Sequence, residues 1–468
     1  MSEQSIALNR FGLGARGDDA PPENPRRWLL GQFDRYDPNP AALRDRPGSK
    51  AAAADFLHYR LNLRGALRGT DQVDSLEEAG EDLQQVLRGY FGKVRDKYFA
   101  DVAARGQVAI DSDTPFVERM VHFWSNHFAV SVAKRQVSGL VAPYEFEAIR
   151  PHVLGSFREL LRAAALHPGM LLYLDQDRSV GPNSLGARFR ASRGMDEVGL
   201  NENLAREILE LHTLGVDGGY TQADVTEFAR ALTGYTFDGL PYLRDAQPLG
   251  NGAAFSLVVH EPGRRTILGK TYRQRDGDQA LAVLDDLARH PSTARFVATK
   301  LARHFSADDP PGTLVARLET AFRNSDGDLP TLYRTLIEAP ETWRPERHKF
   351  RTPWEWSVGA LRATGVRELP ARIFTGIQSE LGQTTWGPPS PAGFADTAAS
   401  WAAPDALLRR IEVAERIATA SRRTDVPALA RRLFPDALND TTATAIARAE
   451  SPNQGLALLL AAPEMMRR

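Results

Sequence analysis

The sequence predicts a mainly α-helical protein: a large helical-bundle or α/α-type single domain with a small β excursion near 236–275. Three observations lead there. Apolar residues recur at spacings of three and four through most of the chain after residue 51, the stripe of a core-facing helix. The connections between stripes are short and commonly open at a proline. Only 236–275 joins β-prone runs, Ala254 to Val259 and Thr266 to Leu268, to glycine-rich surroundings.

Residues 1–50 read as an irregular N-terminal lead-in, with a short helix near Trp28, and 51–468 as a single large helical domain. Leu83, Val86, Leu87, Tyr90, Phe91, Val94, Tyr98 and Val102 form one helical stripe, with Gly106 as its expected stop. Thr114 and Pro115 open the next helix, which carries Phe116, Met120, Phe123, Trp124 and His127. Residues 145–166 read as a helix pair broken by Pro151, and a further helix starts at Pro168. The polar stretch from Asp175 to about Gly199 reads as a loop, long enough to suggest a function. Helices resume at 201–214 and 221–233. The chain after 275 is helical apart from 386–394, which is too rich in proline and glycine for a helix.

Apolar residues make up 42% of the 468, enough for a sizeable core and incompatible with wholesale disorder. The net charge of −1 excludes a polyanion-binding surface as the main business of the chain, so no nucleic-acid partner is expected. Of 58 basic residues only seven are lysine, which reads as a compositional bias toward arginine. The absence of cysteine excludes thiolate chemistry, disulfides and cysteine-ligated metals. No apolar run is long enough to span a membrane. With no export signal at Met1 to Arg10, the expected location is cytoplasmic.

The densest polar group lies on the segment 199–215. On a helical wheel Leu204, Ala205, Ile208, Leu209 and Leu211 share one face with His212, which predicts a buried, hydrogen-bonded imidazole. Glu202, Asn203, Arg206, Glu207 and Glu210 take the other face, where Arg206 can bridge Glu202 and Glu210. A tight turn at Gly218-Gly219-Tyr220 leads into a helix capped by Thr221 and Asp224, which presents Glu227. Such a face is either a solvated ion-pair lattice or a polar site. A second constellation places Arg119, His122 and Asn126 on one helix row and Phe116, Met120, Trp124 and His127 on the next. It suits either a sugar-binding wall or a buried aromatic helix. His260-Glu-Pro-Gly263 is a weaker third. Nucleophile elbows, phosphate loops and zinc-protease motifs are absent, and no cofactor is implied.

These segments together resemble the bacterial family named "domain of unknown function 1800". The resemblance rests on Phe123-Trp-Ser-Asn-His-Phe128, the run from Asn201 to Asp224, Leu232-Thr-Gly234, His260-Glu-Pro-Gly263, Ala298-Thr-Lys-Leu301 and Ala462-Pro-Glu464. At Glu261 family members often show Asp. The resemblance implies no established activity. It implies a neighbouring gene for a sulfatase-like "domain of unknown function 1501" protein, with which this chain could be exported.

Three functions are compatible with these residues. The first is a glycan-active hydrolase with Glu207 and Glu227 as the acid/base pair, backed by Glu210 and Asp224. Trp124, Asn126, His127, Asn203 and Asn183 are then its substrate contacts, while Glu202, Arg206 and His212 are structural. The second is a carboxylate/His metal site built from Glu207, Glu210 and His260. The third is a helical scaffold for the neighbouring sulfatase-like protein.

Overall fold

The computed structural model describes residues 1–67, 81–195, 199–240, 243–366, 370–421 and 425–468. It is mainly helical, with two small antiparallel sheets in the expected 236–275 region.

The first residues depart from the expected lead-in. Helix α1 (Glu3–Ile6) runs into a π-helical turn, Ala7–Phe11, and Ile6, Ala7, Phe11 and Leu13 are at most 1% exposed. Arg10 interrupts the apolar run that would have marked this segment. Its guanidinium is nonetheless buried, donating to the carbonyls of Thr342 (2.6 Å) and Arg344 (2.7 Å). Satisfied donors are what allow a charge there.

Helix α2 (Glu81–Asp111) carries the predicted stripe, with Leu83, Val94 and Val102 buried. It continues past Gly106, because Val108, Ala109 and Ile110 bury one further turn and outweigh the cost of a mid-helix glycine, about 1 kcal/mol. Helix α3 (Pro115–His127) starts where Pro115 predicts. The stretch 175–199, expected to be loop, contains helix α4 (Leu185–Ser192), capped by Ser184. None of its residues is buried, so it has no apolar stripe to read.

The segment 201–214 splits into α5 (Asn203–Glu207) and a π-helical turn, Ile208–Thr213. Helix α6 (Gln222–Leu232) follows with its Thr221/Asp224 capping box in place. Strands β1 (Tyr235–Phe237), β2 (Gln247–Pro248) and β3 (Ala253–Phe255) form one sheet in the order β1-β3-β2. Strands β4 (Arg265–Ile267) and β5 (Lys270–Tyr272) make a hairpin whose two loop residues, Leu268 and Gly269, both have positive φ, as a tight two-residue turn requires.

The C-terminal half includes α7 (Gly277–Arg289), α8 (Pro291–Phe305), α9 (Pro353–Thr364), α10 (Pro404–Ala420) and α11 (Pro452–Ala461). Buried side chains fall into two clusters. The larger holds α3, α7 and α8; the smaller gathers Trp356, Val413, Leu459 and Leu460 from α9, α10 and α11. The N-terminal segment threads both, with Phe11 and Leu13 in the first and Leu8 and Ala15 in the second.

Candidate functional site

A cavity of about 330 Å³ opens beside the larger cluster, which lends it Leu13, Phe123, Val130, Trp354 and Trp386. That volume is near the lower end of the roughly 300–1,000 Å³ common for small-molecule sites. Its walls are α3, the last turns of α8, the first turn of α9 and the loop 383–397.

Helix α3 sorts most of its two predicted rows. The polar row, Arg119, His122 and Asn126, lines the cavity. Of the aromatic row, Phe116, Met120 and Trp124 are core, Trp124 fully buried with its indole N–H donating to Tyr333 Oη at 2.6 Å, while His127 borders the cavity at the end of the helix. The expected role of Trp124 as a sugar platform is therefore corrected, because its faces are packed against protein. Asn126 borders the cavity with its amide engaged. Its Nδ2 donates to the Phe394 carbonyl (2.9 Å) and its Oδ1 accepts from the Phe394 amide (2.7 Å). Gly393 sits at φ +83°, and a Cβ there would lie 2.3 Å from the Asn126 carbonyl oxygen, so only glycine passes this close.

The loop side adds Trp386 and the α9 side Trp354. Arg105 of α2 lies between them, its guanidinium carbon 4.1 Å from the Trp354 ring centre and 5.3 Å from that of Trp386. Arg105 also donates to Glu145 Oε1 at 2.8 Å, and Glu145 accepts from Ser125 (2.6 Å) and the Trp386 indole (2.8 Å). Glu145 belongs to a π-helical turn, Glu145–Ile149. The three π turns of the chain's described residues thus supply Glu145, the Phe11 carbonyl that receives Arg119 (3.1 Å), and the His212 carbonyl that receives His127 Nε2 (3.0 Å). All three buttress α3, in keeping with the frequent placement of π bulges at functional sites.

The chemical centre is a run of buried charges that the sequence did not reveal. His304 Nδ1 lies 2.8 Å from Asp396 Oδ2. Lys349 holds the same carboxylate at 3.1 Å and Asp308 at 2.7 Å. His304 Nε2 has no hydrogen-bond partner and faces Glu355 Oε1 at 3.9 Å. Glu355 is paired with Arg119 and, at 3.0 Å, with Arg468. Burial opposes ionisation of Glu355, but Arg468 and Arg119 outweigh it and hold the carboxyl far below the usual range. Asp396 is likewise held down, against burial, by His304 and Lys349. Burial lowers the His304 pKa, with Asp396 pulling the other way. Asp396 thus orients the imidazole through Nδ1 and leaves the buried Nε2 without a hydrogen-bond partner, the orientation that a general base takes from its carboxylate. One turn earlier on α8, Lys300 has its ammonium drawn down to about 8, chiefly by burial.

None of the expected acid/base residues lines this cavity. Glu227 is tied to Arg230 and, at 3.3 Å, to Arg265. Asp224 caps Thr221 and accepts from the Leu268 amide (2.7 Å). Glu210 accepts from Tyr220 Oη (3.0 Å), so Arg206 bridges Glu202 (3.2 Å) to Gln222 (2.9 Å) instead of to Glu210. Glu207 is half-buried, its pKa raised by burial and by Glu210. Asn203 is exposed, and Asn183 holds Glu261 through both its backbone amide and its side chain, each at 2.7 Å. His260 Nδ1 donates to the Thr233 carbonyl (2.7 Å). Among the described residues no three His, Asp or Glu side chains are grouped to hold a metal ion, so the Glu207, Glu210 and His260 set is not assembled. His212 is 1% exposed, but neither of its ring nitrogens has the expected hydrogen bond.

One sequence signal could have led to the centre. Two of the seven lysines in a chain that otherwise uses arginine, Lys300 and Lys349, stand in it. No helix of the described residues is long and apolar enough to cross a membrane. Comparison with curated proteins and with solved structures finds no match. The model of the family described as "Protein of unknown function (DUF1800)" matches residues 6–467, essentially the whole chain, and the chain belongs to that family.

Proposed function

We propose that the chain is a glycan-active enzyme whose working site is this cavity, with His304 as the general base. The observation that carries the reading is the Asp396–His304 pair, which orients the ring of a cavity-lining histidine through Nδ1 and leaves its buried Nε2 without a partner. Glu355 and Asp396 are both held ionised, so neither can donate a proton as a paired-carboxyl glycosidase requires. In a hydrolysis the attacking water instead passes its proton to His304 Nε2 as its oxygen bonds to the reacting carbon, Asp396 stabilises the imidazolium, and the imidazolium returns that proton to the leaving sugar oxygen as its bond to that carbon breaks. Gln383, Thr384 and Thr385 beside Trp354 and Trp386 offer hydroxyl-matching groups next to ring-matching ones, the mixture a sugar needs.

The test is a glycan turnover screen with three variants. His304→Gln is expected to keep the fold and lose about 10²–10⁴ in rate, the usual weight of a general base. Glu207→Gln and Glu227→Gln are expected to leave turnover unchanged. Full activity in His304→Gln would remove the reading, and loss of activity in Glu207→Gln would return the site to α5.

A second reading rests on α4. Leu185 and Phe189 are 65% and 56% exposed on a helix that buries nothing. Such a face suits a docking role toward the co-encoded sulfatase-like "domain of unknown function 1501" protein. No turnover on any glycan, with a stable complex lost in Phe189→Asp, would favour it.

A further inference from the structure

We propose that Lys300 and Arg303 form an oxyanion-receiving end of the cavity, so that its ligand carries a carboxylate or sulfate. The proposal rests on the glycan reading above and narrows it to acidic sugars.

The argument is one of charge balance. Six charged side chains line the cavity: Arg105, Arg119, Lys300, Arg303, Glu355 and Asp396. Both acids are already matched, Glu355 by Arg119 and Arg468, and Asp396 by His304 and Lys349. Arg105 is matched by Glu145. Lys300 and Arg303 are left. Arg303 donates only to a backbone carbonyl, that of Asp308, at 3.0 Å. Lys300 makes no hydrogen bond or ion pair, and its ammonium lies 5.5 Å from the centre of the Phe296 ring. The two stand three residues apart on α8 and so share a face.

A surface lysine with no partner would be unremarkable, because water solvates it. Lys300 is different: burial depresses its pKa to about 8 even though Asp396 opposes the shift, and Arg303 adds a smaller push downward. The imidazoles around it supply no negative charge. His127 on α3 and His212 on the π turn are held neutral by burial, and His304 is committed to Asp396. Both side chains are part-buried on the cavity wall, and neither is paired with a carboxylate, so an oxyanion placed between them would gain two charge-assisted contacts. The ammonium meets it as a point charge and the guanidinium as a planar fork.

The experiment measures binding to the full chain of galacturonate, galactose 6-sulfate, galactose and inorganic sulfate between pH 6.5 and 9.5. The two acidic sugars are expected to bind at least ten-fold tighter than galactose. Their advantage should fade as pH rises through about 8, where Lys300 loses its proton. Lys300→Met should abolish the preference at every pH. Lys300→Arg should keep it and shift its loss to higher pH, an outcome that a merely structural lysine would not give. Equal affinity for galactose and galacturonate would overturn the proposal and leave the glycan reading standing. Lys300-dependent binding of inorganic sulfate with no sugar bound would keep the oxyanion site and remove the glycan. No Lys300-dependent binding of any of the three anions would also overturn it.

Discussion

Asn126 and Phe394 are joined by a reciprocal pair of hydrogen bonds, the Asn126 amide donating to the carbonyl and accepting from the N–H of the one residue at 2.9 and 2.7 Å. That pair fastens the loop 386–394 to α3 and so sets the width of the cavity between them. Asn126→Ala removes both bonds, and each is worth about 0.5–1.5 kcal/mol net. The expected result is faster amide hydrogen exchange at Phe394 and its neighbours, with exchange on α3 little changed. Asn126→Asp keeps the acceptor for the Phe394 amide and should protect it better than alanine does. Unchanged exchange in Asn126→Ala would mean that the loop is held by other contacts.

Trp124 provides a contrast from the same helix. Its indole N–H donates to Tyr333 Oη, which donates in turn to the Val153 carbonyl at 2.9 Å. Trp124→Phe keeps an aromatic ring but removes the donor and leaves a void. We expect about 2–4 kcal/mol lower stability in denaturant unfolding, from an unmet buried group together with a cavity. Ligand affinity per folded molecule should not change, because Trp124 does not reach the cavity. A selective loss of binding without loss of stability would contradict the placement.

What could be read in the sequence follows from what leaves a period. The amphipathic stripes of α2, α3 and α6 are regular and appear where expected. The two rows of α3 were separable on the wheel; the wheel alone could not say which of them faces the cavity. Helix α4 was unreadable because it buries nothing, and the N-terminal turn because Arg10 interrupts five residues of π helix. The chemical centre was hidden for a different reason. His304, Glu355 and Asp396 come from segments far apart in the chain, and each fragment reads as ordinary locally. Glu355 even serves as the capping-box residue of α9, accepting from the Thr352 amide at 3.0 Å. The acid-rich hairpin 201–227 drew attention because its polar groups are close in sequence. In the fold those groups mostly satisfy one another.

His212 carries a pH consequence. Its pKa falls from 6.5 to about 3 on folding, first through burial and then through repulsion from Lys300. Between those values the unfolded chain binds a proton that the folded chain refuses, so stability falls as pH drops from about 6.5 toward 3. This group alone contributes a slope approaching about 1.4 kcal/mol per pH unit. Many carboxylates also titrate there, so the comparison must be with a variant. His212→Leu removes the imidazole and two unpartnered buried nitrogens. It should match or exceed the parent at pH 7, and exceed it increasingly at pH 5 and pH 4 in denaturant unfolding. Parallel pH profiles for the two proteins would refute the assignment.

Glu355 makes the opposite prediction at the other end of the charge run. It is buried between Arg119 and Arg468, and Arg119 is further fixed by the Phe11 and Gly12 carbonyls, its Nε lying 3.1 and 3.0 Å from them. The carboxylate is thus the counter-ion for two buried guanidiniums. Its folded pKa lies far below the unfolded value, so its contribution is fully present above the ordinary carboxylate range and is lost as pH falls below it. Glu355→Gln is nearly isosteric but leaves the two cations unmatched. Breaking a buried pair in this way typically costs about 3–5 kcal/mol. If charge balance is the cause, adding Arg119→Met to Glu355→Gln should recover part of that loss, because one stranded cation goes with it. The double variant would then be less destabilised than the sum of the two single variants, and the coupling should persist at pH 4, where the folded parent still holds the carboxylate ionised. Strict additivity at pH 7 would show that Glu355 acts through packing and the α9 cap, with its charge making no net contribution.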